Sequence, residues 1–204
     1  NLQSDYYKAV FHLSKYPSSD TENALLNLIK SESSHQSILI AKRKAIEILG
    51  RMKCKKAIPI IGRNLKSNDP YIVENSALAL QEMECKDSKL HALIGDLLGC
   101  PGQNSRVLIQ SLAKMGAISE LPKIRKICYK KDTSPSVMGA SLAAISLLSN
   151  NSINLKPLGR FLDLPNQNDR QSAVQDIIDA KGFELIEMVV KAPISPFFRL
   201  RAID

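Results

Sequence analysis

Lys56-Ala57-Ile58-Pro59-Ile60-Ile61-Gly62-Arg63-Asn64-Leu65-Lys66-Ser67-Asn68-Asp69-Pro70-Tyr71-Ile72-Val73-Glu74-Asn75-Ser76-Ala77-Leu78-Ala79-Leu80-Gln81-Glu82-Met83 is the stretch that decides the fold. Ile58, Ile61 and Leu65 recur at i, i+3 and i+7, so they share one face of a helix running from about Lys56 to Lys66. Ser67-Asn68-Asp69-Pro70 stops it. Asp69 is a good N-cap, because its carboxylate accepts amide protons that the first helical turn leaves unpaired. Pro70 suits the first turn, where no amide partner is needed. A second helix follows from Tyr71 to about Met83, with Ile72, Ala79 and Leu80 apolar. The stretch therefore predicts a helical hairpin.

The hairpin recurs. The same punctuation stands at Asp132-Thr133-Ser134-Pro135 and Asn168-Asp169, and Ser195-Pro196 opens a last helix. Helix ends line up at Leu49-Gly50-Arg51-Met52, Gln81-Glu82-Met83, Ala113-Lys114-Met115, Leu147-Leu148 and Asp179-Ala180. From Met52 the steps are about 31, 32, 33 and 32 residues, a period that marks a helical repeat array. No stretch sustains the two-residue alternation of a strand. The expectation is an all-α protein, an α-solenoid of about five to six HEAT-like helix pairs forming one domain over 1–204. One pair cannot bury its apolar face alone; stacked neighbours do. The second helix of each pair should line a concave side. The last unit holds only part of its second helix, so the natural protein is expected to extend past Asp204.

Composition agrees. The chain is 44% hydrophobic and 24% charged, which suits a buried core under a soluble surface. No apolar run reaches the roughly 18 residues of a membrane span. No signal peptide is visible, although the sequence opens Asn1-Leu2-Gln3 without methionine. Cys54, Cys85, Cys100 and Cys128 form no CxxC pair, which speaks against a zinc or redox motif. Cys54 and Cys85 follow Met52-Lys53 and Met83-Glu84, one unit apart, and read as small residues packed at helix ends. A reducing, cytoplasmic compartment fits them. The net charge of +8 concentrates in Lys42, Arg43, Lys44, Arg51, Lys53, Lys55, Lys56, Arg63 and Lys66, and again in Lys123, Arg125, Lys126, Lys130 and Lys131. Such clusters attract anionic partners, or they are merely solvated faces; both readings stay open.

Hydrolytic chemistry needs a nucleophile, a base and an orienting group. His12, His35 and His91 are far apart and read as surface or cap residues. HExxH, GxSxG, GxGxxG and Walker patterns are missing, and no metal-ligand spacing occurs. Gly50, Gly116 and Gly182 read as helix C-caps, not a phosphate cradle. What remains is the first turns of the second helices: Tyr71, Glu74 and Asn75; Asn104 and Arg106; Asp169 and Arg170; Arg199. These would converge on the concave groove as a site for an extended anionic ligand or a protein partner. Alternatively, they cap helices and bridge repeats. Asp69 reads as a cap alone.

Several blocks resemble a known family. Tyr6-Tyr7-Lys8-Ala9-Val10, Arg43-Lys44-Ala45-Ile46-Glu47-Ile48-Leu49-Gly50, Asp69-Pro70-Tyr71-Ile72-Val73-Glu74-Asn75-Ser76-Ala77, Ile109-Gln110-Ser111-Leu112-Ala113-Lys114-Met115-Gly116-Ala117, Arg170-Gln171-Ser172-Ala173-Val174-Gln175-Asp176 and Ser195-Pro196-Phe197-Phe198-Arg199-Leu200-Arg201-Ala202 are similar to the E subunit of the E/F-type phycobiliprotein bilin lyases, the CpcE, PecE and CpeY kind. The Val73-Glu74-Asn75 block and the Phe198-to-Ala202 tail are the more telling. The chain departs from the family in lacking tryptophan; Leu78 stands near one of its usual places.

The resemblance implies a cytoplasmic cyanobacterial lyase that works as a heterodimer with an F-type subunit. It would attach a linear tetrapyrrole by a thioether to a cysteine of a phycobiliprotein α or β subunit, with the phycoerythrin branch and phycoerythrobilin favoured. The bilin is then a substrate, and no prosthetic group or metal is implied. Such a protein has little need of a triad: the acceptor cysteine is the nucleophile and the bilin ring A side chain the electrophile. Holding the two in register supplies much of the acceleration. Two propionates want arginines, for which Arg106, Arg170 and Arg199 are candidates, with Asn75 as a further ligand contact. Protonated pyrrole nitrogens want a carboxylate, Glu74 or Asp176. Tyr71 would be a wall or a proton donor. Two other classes remain: a non-catalytic HEAT-repeat chaperone or scaffold for phycobiliproteins, and a nucleic-acid-binding HEAT protein. Basic charge favours the latter and the 5% aromatic content disfavours it.

Overall fold

The computed structural model describes residues 2–203, and among these every regular element is helical. After α1 (Leu2–Leu13) come six pairs: α2 (Ser19–Lys30) with α3 (Gln36–Arg51), α4 (Ile58–Asn64) with α5 (Pro70–Glu82), α6 (Ser88–Asp96) with α7 (Ser105–Met115), α8 (Leu121–Cys128) with α9 (Pro135–Ser149), a 3-10 segment (Ser152–Asp163) with α10 (Gln167–Asp179), and α11 (Ile186–Lys191) with α12 (Pro196–Ile203). The expected α-solenoid is present. The second helices pack in one row, α3 on α5, α5 on α7, α7 on α9, α9 on α10 and α10 on α12. One hydrophobic core runs from Val10 to Ile194. None of the described helices is long and apolar enough to cross a membrane.

The repeat is written in the backbone as well as in the side chains. Lys53, Glu84, Gly116, Asn150 and Lys181 all take the left-handed conformation, with φ of 51°, 54°, 73°, 50° and 55°. Each follows a second helix, and in each the next amide reaches back to close the helix: Cys54 N to Leu49 O, Cys85 N to Leu80 O, Ala117 N to Leu112 O, Asn151 N to Ser146 O and Gly182 N to Ile177 O, at 2.9–3.0 Å. This is the Schellman closure, which satisfies carbonyls the helix end would orphan. Only Gly116 meets the expectation of a glycine there. Gly50 lies inside α3, where a Cβ would sit 2.8 Å from Ala79 Cα, so it marks the close approach of α3 to α5. Gly182 stands one residue past its left-handed turn.

Two further expectations change. The first helix of the fifth pair is wound as a 3-10 helix around Pro157, which lacks the amide that an α-turn would use. His91 is neither a surface nor a cap residue. It is buried in α6 with its ring Nε2 2.9 Å from Cys85 O, which ties that helix to the preceding turn.

Candidate functional site

The second-helix row carries two polar clusters, built differently. The first lies at the head of α5. Asp69 Oδ1 accepts from Tyr71 N (2.9 Å) and Ile72 N (3.2 Å), the expected N-cap. Its other oxygen, Oδ2, accepts from Arg43 Nη2 (2.6 Å) and Nε (3.2 Å). Asp69 is thus more than a cap: it fixes the guanidinium of the preceding unit. That guanidinium lies 4.6 Å from the centroid of the Tyr71 ring, a cation–π contact on a ring that is 58% exposed. One turn further on, Glu74 Oε2 accepts from Asn104 Nδ2 (3.0 Å), which joins α5 to the cap of α7. Asn75 Nδ2 turns back onto Tyr71 O (2.7 Å). An aromatic face, a half-buried carboxylate and a cation therefore stand side by side on an open helix surface. Exposed Ile40 and Leu78 add apolar area on the same two helices.

The second cluster is a clasp over α9. Arg106 Nη2 and Nη1 donate to Asp176 Oδ1 (2.7 Å) and Oδ2 (2.9 Å), a two-pronged ion pair. The guanidinium also donates to Ser136 O (2.6 Å) and Ser172 O (3.4 Å), and Gln110 Nε2 reaches Asp176 Oδ1 (3.3 Å). Lys114 stands 3.7 Å from Asp179 on the same two helices. Arg106, Gln110 and Lys114 belong to α7, Asp176 and Asp179 to α10, and α9 lies between. Packed neighbours sit about 8–10 Å apart, so in a flat row α7 and α10 would be about 16–20 Å apart and Gln110 could not reach. The row bends toward this side at α9, as the concave reading requires. Small residues on α9 permit the bend. A Cβ at Gly139 would sit 2.6 Å from Asp176 Oδ2, and Ala140, Ala143 and Ala144 line the shallow cleft under the clasp. Asp176 is 1% exposed, and burial pushes its carboxyl up to about 6, against the opposing pull of Arg106 and Gln110.

Of the seven residues given a role toward the bilin from sequence, Tyr71, Glu74 and Asn75 share one surface, which Asn104 joins through Glu74, and Arg106 and Asp176 share the clasp. Arg170 and Arg199 join neither. Arg170 donates to Leu164 O (2.6 Å), Pro165 O (2.8 Å) and Pro193 O (3.0 Å), and Arg199 to Ala192 O (3.0 Å). Among the described residues no ion pair or hydrogen bond connects these two arginines to the other five. Arg106 and Arg170 span repeats, the second of the two roles open to them, whereas Arg199 closes the end of α11 within its own pair. Arg43, Gln110 and Gly139 carry no site role in the sequence reading, although Arg43 stands in its basic cluster. Arg43 had a usable signal: it precedes Asp69 by 26 residues, a little under one repeat. The thiols offer no nucleophile at these clusters. Cys54 and Cys128 are buried, and desolvation raises both, Cys128 to about 11.

Fold and clusters define a class: a bent HEAT-like solenoid with polar groups displayed along its second helices. No protein-family model matches the chain. The chain is 37% identical over 202 residues to the bilin biosynthesis protein CpeY of Synechococcus sp. (strain WH8020), a match that covers 98% of this chain and 48% of that protein. It is 31% identical over 197 residues to an uncharacterized phycocyanin operon protein Y of Pseudanabaena tenuis (strain PCC 7409), covering 97% of this chain and 46% of the relative. The chain thus spans about half the length of the curated relatives it matches. Its fold matches the CpcE–CpcF complex of phycocyanin lyase from Nostoc sp. PCC7120 with a TM-score of 0.79 at 22% identity, covering 97% of this chain and 79% of that one. Along nearly its whole length the chain resembles the E-type bilin-lyase proteins and is homologous to CpeY.

Proposed function

We propose that this chain is the solenoid portion of an E-type bilin lyase subunit, acting in the cytoplasm with an F-type partner to place a linear tetrapyrrole on a phycobiliprotein cysteine. The observation that carries the reading is the match to a bilin biosynthesis protein over 98% of the chain. The bilin is a substrate in this reading, not a resident group. It lies along the second-helix row, with a pyrrole ring against Tyr71, a protonated pyrrole nitrogen toward Glu74, and Arg43 and Asn75 beside it. The acceptor thiol adds to the ring A side chain to form the carbon–sulfur bond, and the bilin takes up a proton. Tyr71 is the exposed donor nearest that work. Arg106 and Asp176 hold the curvature of the row. For Arg106 to take a propionate it would first surrender hydrogen bonds held by both terminal nitrogens, whereas Arg170 Nη2 and Arg199 Nη1 are not engaged among the described residues.

The test is co-expression of the full-length protein with an F-type partner, a bilin source and candidate apoproteins, read as covalent colour on a denaturing gel. Colour dependent on this protein supports the reading. Binding of the apoprotein with neither bilin uptake nor covalent colour points to a scaffold instead, and a salt-sensitive DNA shift points to a nucleic-acid binder. Within an active system, Glu74→Gln should lower the covalent yield by about tenfold, the scale of one charge-assisted hydrogen bond. Unchanged yield and unchanged bilin absorbance would remove Glu74 from the site.

A further inference from the structure

Basic residues of the amino-terminal half include some with a carboxylate partner and some without. Arg43 pairs with Asp69, Lys44 and Arg51 with Glu47, Lys53 with Glu84 and Lys56 with Glu22. Lys30, Arg63, Lys66 and Lys89 pair with no carboxylate among the described residues, and they are neighbours. Lys30, Lys42, Arg63 and Lys66 line one groove of about 530 Å³, with Glu32 its only acid. Arg63 and Lys66 also line an adjoining groove of about 520 Å³, together with Lys89 and Asp96. Asp96 is already engaged by Lys123 at 2.8 Å. The two grooves share Arg63 and Lys66 and therefore form a single strip, from the ends of α2 and α4 onto the face of α6 between Lys89 and Asp96.

Helix dipoles account for part of this. Lys30 and Arg63 sit in the last turns of α2 and α4, where a cation is favoured. Lys89 lies in the first turn of α6, where a cation is disfavoured, and Lys66 lies past the end of α4. Lys42 is more telling. It is only 8% exposed, its ammonium is held on Ser31 O at 2.5 Å, and desolvation lowers its pKa although Glu32 acts the other way. Asn64 Nδ2, in the wall of the same groove, is out of solvent with no acceptor. The strip is rich in donors and short of acceptors.

We infer that this strip is a docking surface for an acidic polypeptide segment on a partner protein, separate from the second-helix row. The three first helices span two spacings of about 10 Å each, so the segment presents several carboxylates over about 20 Å. Protein fits better than nucleic acid: the non-polar part of the two grooves is Ile29, Ile60, Pro59, Leu90, Ala92 and Leu93, and no aromatic lines either for base stacking. The inference does not depend on the tetrapyrrole reading, and its test contains no bilin.

The full-length protein is titrated against a labelled Glu-rich peptide of about ten residues and, separately, against labelled oligothymidine of similar length, by fluorescence anisotropy in low and high salt. The expected result is saturable peptide binding, tighter than for the oligonucleotide and lost in high salt. Arg63→Glu with Lys66→Glu should weaken peptide binding at least about tenfold, while Lys130→Glu with Lys131→Glu, which changes net charge equally at exposed positions outside the grooves, should change it less than about twofold. Unchanged thermal unfolding of both variants ties the effect to docking. Equal losses in the two double variants would reduce the strip to bulk charge. Absent peptide binding, or preference for oligothymidine, would overturn the inference.

Discussion

Gly139→Ala is the sharpest probe of how the row is bent. In the middle of a helix this exchange ordinarily stabilises by about 1 kcal/mol, because alanine loses less backbone freedom than glycine. Here the added methyl would lie 2.6 Å from Asp176 Oδ2, about 0.8 Å short of ordinary contact, and 3.4 Å from Leu158 Cδ2. Asp176 has nowhere to retreat. It is fully buried, short, and held by both prongs of Arg106 and by Gln110. Either α9 and α10 separate, at the 1–3 kcal/mol typical of overpacking, or the carboxylate turns off Arg106 and leaves a buried ion without its partner, at about 3–5 kcal/mol. After the propensity gain is subtracted, the net expectation is about 0–4 kcal/mol of destabilisation. Urea unfolding followed by circular dichroism measures it. In an Asp176→Ala background the obstacle is gone, and Gly139→Ala should become stabilising by up to about 1 kcal/mol, a coupling of about 1 kcal/mol or more. Stabilisation of the otherwise unchanged protein by Gly139→Ala would refute the packing argument outright.

Three other outcomes follow from the same geometry. Lys53→Gly or Lys181→Gly should stabilise by up to about 1 kcal/mol in thermal unfolding, since each residue holds a left-handed φ that costs a side chain about 1–2 kcal/mol, partly offset by the greater chain entropy of glycine. Asp176 titrates in the folded chain near 6 against an ordinary 3.8, so the fold binds a proton that the unfolded chain has released. Its contribution is therefore full below the ordinary value and is lost as pH rises through about 6. Wild type should gain on Asp176→Asn by roughly 2 kcal/mol between about pH 7.5 and pH 4, and a gain by the variant instead would mean that the Arg106 pair, not desolvation, governs the group. Cys100, exposed while Cys54, Cys85 and Cys128 are buried, should alone react quickly with a disulfide reagent in the native protein; rapid modification of more than one thiol would contradict the burial.

The hairpin was legible because its signals are local. A cap such as Asp69, a proline such as Pro70 and the i, i+3, i+7 spacing of Ile58, Ile61 and Leu65 each act within a turn or two of their own position. The period of about 32 residues was legible because the same local signals return. Left-handed closures at Lys53, Glu84 and Lys181 were not, since the demand there comes from the tertiary stack and overrides the preference for glycine. The site divides along the same line. Tyr71, Glu74 and Asn75 follow the Asp69 cap on one helix, so their common surface is a consequence of short-range order. The Arg106–Asp176 contact crosses 70 residues and an intervening helix. It exists because Gly139 and the alanines of α9 are small enough for the row to bend, and no pattern within α7 or α10 announces it. Bending also decides what the arginines do: where second helices converge, their long side chains meet carbonyls and carboxylates of the next units before they meet solvent. At the head of α5 the Tyr71 face stays open, so of the two clusters it is the one a ligand can reach without breaking an ion pair.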